Sequence, residues 1–361
     1  MSTNTLNQES VDSNTETKTN LQNIENVGHY KTIESTTQLE YKKIAPEYQE
    51  AAKTLKNIQE QISKVFVGQP LVVKHVLAAL LSKGHILLEG VPGLGKTLLV
   101  KTLSDCISGK FTRIQFTPDL MPSDVTGHAM YNMGTQKFEV RKGPVFTNLL
   151  LADEINRAPA KTQSSLLEVM QESHVTIEGR SFKTPTPFMV LATQNPIEQE
   201  GTYPLPEAEL DRFIMKLDLQ YPSLAEENDL VSMQCNQKQS TVTSPGYCIT
   251  IEHLEQLQNL THNILADQSI VSYAVDLVRA TRSHPGFSRG AGPRASIACI
   301  KVAKSIALIE GRNFLTPQDI KDVFLPTVRH RIQLSPEMEI EGSNPDEQLA
   351  IIISLVQAPR S

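Results

Sequence analysis

The segment Gly90-Val91-Pro92-Gly93-Leu94-Gly95-Lys96-Thr97 matches the pattern G-x-x-x-x-G-K-[ST]. It follows the apolar run Ile86 to Leu88 and precedes a Leu- and Val-rich stretch that begins at Leu98. In so glycine-rich a loop successive backbone N–H groups can wrap a phosphate, and the N-terminus of the next helix aims its dipole at the same anion. Lys96 would then reach the β and γ oxygens, and Thr97 Oγ1 would be placed to ligate Mg²⁺. Further along, the apolar run Leu149 to Ala152 ends in Asp153 and Glu154. Two carboxylates closing an apolar strand are costly to desolvate unless they hold a cation or a water. Asp153 suits the Mg²⁺ shell, and Glu154 suits the polarising of a water for in-line attack on a γ-phosphate. A third run, Val190 to Ala192, leads to Asn195, which a neighbouring strand would present to the same water or phosphate. An Asn before Pro196 is also a plain turn former.

Two arginines could stabilise the charge that spreads over a transferred phosphoryl group. Arg212 stands just before the run Phe213 to Leu217, and Arg294 stands at the opening of a helix after Gly292-Pro293. The bland alternatives are a surface ion pair between Asp211 and Arg212 and a solvated helix start at Arg294.

These residues need a sheet to position them. Short apolar runs at Ile86 to Leu88, Ile114 to Phe116, Leu149 to Ala152, Met189 to Ala192 and Phe213 to Leu217 alternate with helical stretches, which predicts βαβ units on a parallel sheet. Ahead of them, Leu55, Ile58 and Ile62, then Val72, Val73, Val76 and Leu80, recur at helical spacing and predict two amphipathic helices. Two glycine-centred segments, Thr126 to Lys142 and His174 to Lys183, read as β-hairpins projecting from the core. After about residue 240 the strands are expected to stop and a separate all-helical domain to follow, with Thr316-Pro317 as a helix start.

Residues 1 to 40 hold 21 Ser, Thr, Asn and Gln, six acids and two lysines, and read as a flexible polar tail. The whole chain of 361 residues carries 34 Lys and Arg against 40 Asp and Glu, a net charge of −6, so its bulk surface does not advertise nucleic acid or anionic membrane. No apolar stretch approaches the roughly 20 residues that cross a bilayer, and no secretory signal is visible. Four dispersed cysteines, Cys106, Cys235, Cys248 and Cys299, argue against a zinc ribbon or a disulfide framework. The nine histidines show no ligand spacing. A soluble, cytoplasmic protein is expected, with a tail over 1–44, an α/β core over 45–240 and a helical part over 241–361.

Taken together, Gly90 to Thr97, Leu149 to Glu154, Asn195, Arg212 and Arg294 resemble the Walker A, Walker B, sensor 1, arginine-finger and sensor 2 positions of AAA+ ATPases. The stretches ADEINRAP, ATQNPIEQEGTYPLPEAELDRF and GPRAS are similar to those of the MoxR subfamily, and the likeness covers about residues 45 to 335. Val67-Gly68-Gln69 resembles the segment that lines the adenine pocket there. The resemblance implies an AAA+ P-loop NTPase core with a parallel five-stranded sheet and a small all-α lid. It implies ATP and Mg²⁺ held from Gly90 to Leu98 and by Asp153, and hydrolysis in a homo-oligomeric ring, usually a hexamer. Arg212 would complete a neighbour's site, with Arg294 acting on its own subunit or an adjacent one. The hairpins would be the helix 2 insert and the pre-sensor 1 hairpin, facing a pore or a partner. Family members are chaperone-like toward protein clients, commonly with a von Willebrand factor A domain partner.

The competing expectation is a DNA-directed motor, against which stand the acidic balance and the lack of an appended DNA-binding module. A small-molecule kinase would share the phosphate loop without the other slots. No N-K-x-D segment supports GTP.

Overall fold

A proline at the first helical position and apolar residues at i, i+3 and i+7 fix α1, Pro46–Ser63, whose Leu55, Ile58 and Ile62 are buried. The next helix, α2 (Pro70–Leu81), is apolar nearly all round and correspondingly buried from Val73 onward. The chain is seen here as a computed structural model that describes residues 45–195, 201–236 and 248–359. The polar tail expected over 1–44, the boundary expected near 240 and the residues that follow Asn195 up to 200 lie outside the described residues.

From β1 (Ile86–Glu89) the chain runs through α3 (Lys96–Cys106), β2 (Phe111–Gln115), α4 (Pro122–Thr126), β3 (Gly127–Asn132), β4 (Lys137–Lys142) and β5 (Leu149–Asp153). After a 3-10 turn at Ile155–Arg157 come α5 (Ala160–Glu172), β6 (His174–Ile177), β7 (Arg180–Lys183), β8 (Met189–Gln194), α6 (Glu207–Leu210), β9 (Met215–Asp218) and α7 (Leu224–Asn236). The five strands β2-β5-β8-β1-β9 form one sheet in that order, every pair parallel. Alternation along each strand splits the core in two. Ile86 and Leu88 face α1 to α3 and the C-terminal helices, while Leu87, Val190 and Leu150 face α5 and the base of the hairpins. Both hairpins are antiparallel pairs outside the main sheet, β3 with β4 and β6 with β7.

The C-terminal segment contains α8 (Ile251–His262), α9 (Gln268–Ser283), β10 (Phe287–Arg289), α10 (Pro293–Ile309), α11 (Pro317–Val328), β11 (Gln333–Leu334), α12 (Pro336–Ile340) and α13 (Pro345–Leu355). Strands therefore do not stop at residue 240, because β10 and β11 pair antiparallel within the helical segment. Thr316 caps α11 as its sequence suggests. Its Oγ1 accepts from Asp319 N, Asp319 Oδ2 accepts from Thr316 N at 2.7 Å, and Arg312 clamps the buried Asp319 through two N–H groups at 2.8 and 2.6 Å. Residues of α8 to α11 share one hydrophobic cluster with α1 to α3, so this segment packs directly on the nucleotide-loop side of the sheet.

Among the buried imidazoles, His85 has no charged neighbour, while His75 lies near Lys74, Arg329 and Asp322. His85 accepts from Val190 N at Nδ1 (3.0 Å), which leaves Nε2–H to donate to Met170 O (3.0 Å), tying β1, β8 and the end of α5 together. Burial pushes both His85 and His75 down to about 4. Each takes up its proton near pH 6.5 when the chain unfolds, so the stability they contribute is present above pH 6.5 and is lost as pH falls toward 4. At up to about 1.4 kcal/mol per pH unit for each group, lowering the pH from 6.5 to 5 should cost about 3 kcal/mol for the pair. Urea unfolding at the two pH values measures it, and an unchanged midpoint would refute the neutral assignment.

Candidate active site

The phosphate loop takes its shape from backbone that only glycine adopts easily. Gly93 and Gly95 have φ of 88° and 79°, and a Cβ at Gly95 would lie 3.3 Å from the Phe66 ring. Gly95 is the N-cap of α3, so the free N–H groups of that helix begin at Lys96 and Thr97. The Lys96 ammonium donates to Gly90 O at 2.7 Å. Burial pulls its affinity for a proton down, while the charges of Asp153, Glu154 and Glu89 oppose that pull, which locates all three carboxylates around it.

Strand order does the rest. β8 lies between β5 and β1, so the residues that close β5 and β8 emerge beside the loop that closes β1. Glu89 is in register with Gln194, and Asn195, buried, is the next residue beyond that pair. Asp153 and Glu154 end the strand on the other side of β8.

The carboxylates are held by residues that the sequence pattern does not single out. Thr193, fully buried, donates its hydroxyl to Asp153 Oδ1 at 2.6 Å and accepts Glu154 N–H at 2.8 Å. From β2, Arg113 Nη2 donates to Asp153 Oδ2 at 2.6 Å and Gln115 Nε2 donates to Glu154 Oε2 at 2.7 Å, with Arg157 Nε 3.3 Å from the same oxygen. Arg113 and Gln115 share a strand face at i and i+2, a signal present in the sequence but meaningful only once β2 is known to border β5. Glu154 also has φ 56° and ψ 50°, left-handed backbone that costs a non-glycine residue about 1 kcal/mol or more. Gln163, buried in α5, fixes the following turn by donating to Ile155 O, Ala158 O and Tyr203 O. Thr193→Val keeps the shape and removes both hydrogen bonds, leaving Glu154 N–H without its partner. The expected loss is about 1–3 kcal/mol in urea unfolding, and an equal stability would show that the hydroxyl bridge is idle.

Val67, Gly68 and Gln69 join α1 to α2. Gln69 Nε2 donates to Gln220 O at 3.0 Å, and its Oε1 is buried without a partner, an acceptor that an amino group could fill. Among the described residues no group of three or more His, Cys, Asp or Glu is assembled to hold a metal.

The two arginines take different partners. Asp211 does not pair with Arg212. Its carboxylate binds the buried Arg331 Nε at 2.7 Å and the exposed Arg294 Nη1 at 3.2 Å. Arg212 instead donates from Nη1 to Leu167 O in α5 at 2.9 Å. Arg294, Asp211 and Arg331 line a cavity of about 510 Å³ with Gln194 and Lys216.

The sequence itself carries the same signature. Residues 85–215 match the family model described as "ATPase family associated with various cellular activities (AAA)", and residues 279–352 match that of the AAA lid domain. With its parallel sheet, phosphate loop and helical segment, the protein is an AAA+ ATPase, an ATP-hydrolysing enzyme of α/β fold. It is 48% identical over 300 residues to the uncharacterized protein YeaC of Bacillus subtilis (strain 168), covering 83% of this chain and 93% of that one. It is 43% identical over 318 residues to Chaperone MoxR1 of Mycobacterium tuberculosis, covering 85% and 83%. A crystal structure from Cytophaga hutchinsonii ATCC 33406, described there as a candidate ATPase, superposes with a TM-score of 0.80 at 39% identity, covering 91% of this chain and all of the other. The chain belongs to the MoxR family. No helix among the described residues is long and apolar enough to cross a membrane.

Proposed function

We propose that this protein hydrolyses ATP as one subunit of a ring of its own copies, six in number, and uses the cycle to remodel protein clients. The observation that carries the reading is the strand order β5-β8-β1, with Glu154, Asn195 and the Gly90–Thr97 loop at one edge of the sheet. The backbone of Gly90 to Gly95, with Lys96, would hold the triphosphate. Thr97 and Asp153 would hold the Mg²⁺ that enters with it and neutralises the phosphate oxygens. Val67, Gly68 and Gln69 would line the base, an arrangement to which the unpartnered Gln69 Oε1 lends support. Glu154 takes the role of polarising the attacking water, and Asn195 that of orienting it. In this reading residues 45–240 form the nucleotide core, residues 241–361 form the lid, and Arg212 acts in the site of an adjacent subunit. Arg294, which shares a cavity with Gln194 and Lys216, acts on its own subunit or on an adjacent one.

Protein clients are favoured over DNA by the net charge of −6 and by the surface of the β3–β4 hairpin. Met130, Tyr131, Met133 and Phe138 are exposed there, and the Tyr131 and Phe138 rings meet edge to face at 5.3 Å. A relative is named a chaperone, which agrees. A cytoplasmic location and a von Willebrand factor A domain partner complete the proposal. The test is full-length Glu154→Gln protein held in ATP and Mg²⁺. Light scattering should find an assembly near six subunits, and affinity capture should retain protein. Stimulation of wild-type turnover by DNA with a steep salt dependence would replace the client reading.

A further inference from the structure

The carbonyl of Cys106, the last residue of α3, accepts the backbone N–H groups of Cys248 at 2.9 Å and Ile249 at 3.1 Å. A helix leaves its final carbonyls without intrahelical partners, and this one is satisfied by the residues that lead into Thr250, the N-cap of α8. The helix that begins with Lys96 and Thr97 is thus joined at its far end to the start of the C-terminal segment. Both side chains at the joint are cysteines, and their thiols hydrogen-bond each other. Cys106 is fully buried, whereas Cys248 is half-buried. The direct backbone hydrogen bond between the two residues, with their thiols in contact, holds the cysteines as neighbours in space. Neither thiol has a part in the phosphate site.

We propose that Cys106 and Cys248 are a reversible disulfide site whose oxidation locks the end of the phosphate-loop helix to the base of the helical segment. The oxidant is a peroxide. Cys248, the accessible partner, attacks a peroxide oxygen as its thiolate and becomes a sulfenic acid as one water leaves. Cys106 sulfur then attacks the Cys248 sulfur, the S–S bond forms, and the S–O bond breaks to release a second water that carries the Cys106 proton. The two thiols lose two electrons, and one hydrogen peroxide becomes two waters. Burial and the neighbouring Cys248 push the Cys106 thiol up, so Cys106 is the poorer first nucleophile and Cys248 is the one that meets the peroxide. A dithiol reverses the bond by exchange at Cys248. The effect on turnover rests on the reading above, in which residues 241–361 form the lid of the nucleotide core, and on the movement that a lid must make in turnover.

Full-length protein is treated with hydrogen peroxide, unfolded, alkylated and digested. A linked peptide pair containing Cys106 and Cys248 is expected, with Cys299 alkylated, and dithiothreitol before alkylation should release the pair. Recovery of alkylated Cys106 beside an over-oxidised Cys248 would overturn the site. Cys248→Ser should abolish the link and Cys235→Ala should keep it. Oxidised wild type should turn over ATP roughly fivefold or more slowly, recover with dithiothreitol, and contrast with Cys248→Ser, which peroxide should leave unaffected. A complete cross-link with unchanged turnover would overturn the lock. Reduced protein with no ATPase activity would count against the enzymatic roles proposed above, while the mass measurement would still decide the disulfide.

Discussion

Replacing Glu154 by Gln is expected to leave ATP binding intact and to slow hydrolysis about 10²- to 10⁴-fold, the usual worth of a positioned general base. The substitution keeps the size of the side chain. An amide can still meet Gln115 after a flip, so the left-handed turn at this residue should survive. What it loses is the charge that draws a proton from water. Lys96→Ala is expected to fail one step earlier, at binding, because the ammonium that now rests on Gly90 O is the cation that would meet the phosphates. Phosphate release, set beside titration with a fluorescent nucleotide, separates the two defects. Equal turnover by Glu154→Gln and wild type would remove the assignment of Glu154.

The second large effect concerns Arg212. Arg212→Ala is expected to bind ATP and to lose roughly 10³- to 10⁵-fold in turnover, as the removal of an arginine from a phosphoryl-transfer site does elsewhere. Mixing it with Lys96→Ala protein should restore activity. In a mixed ring the Lys96→Ala subunit donates an intact Arg212 to a neighbour whose phosphate loop is intact, and each supplies what the other lacks. Absence of rescue in coupled-enzyme assays across mixing ratios would mean that Arg212 works within its own subunit, or only through its bond to Leu167 O.

How much of this was legible in the sequence depended on separation along the chain. Gly90 to Thr97 could be read because one unbroken segment encodes both the turn and the cation, and Asp153 and Glu154 because two charges at the end of an apolar run admit few uses. The helpers of those carboxylates were hidden. Arg113 and Gln115 reach them from a strand whose neighbour is decided by the order β2-β5-β8-β1-β9, which no local pattern reveals. Asp211 was read with the arginine next to it, yet its partners lie 83 and 120 residues away, brought there by the packing of the helical segment. β10 and β11, of three and two residues, are too short for alternation to register. The disulfide candidate was invisible for a related reason, since cysteine spacing along the chain says nothing of a helix end that meets the start of another element.

Asp211 has a mechanical consequence. One oxygen grips an arginine sunk in the helical segment, the other grips an arginine at its surface, and the very next residue is the one proposed to reach across to another subunit. A swing of the helical segment must either tear that grip or drag the backbone at Arg212 with it. A ring wired this way would carry news of each spent nucleotide to the following subunit through a lever one residue long.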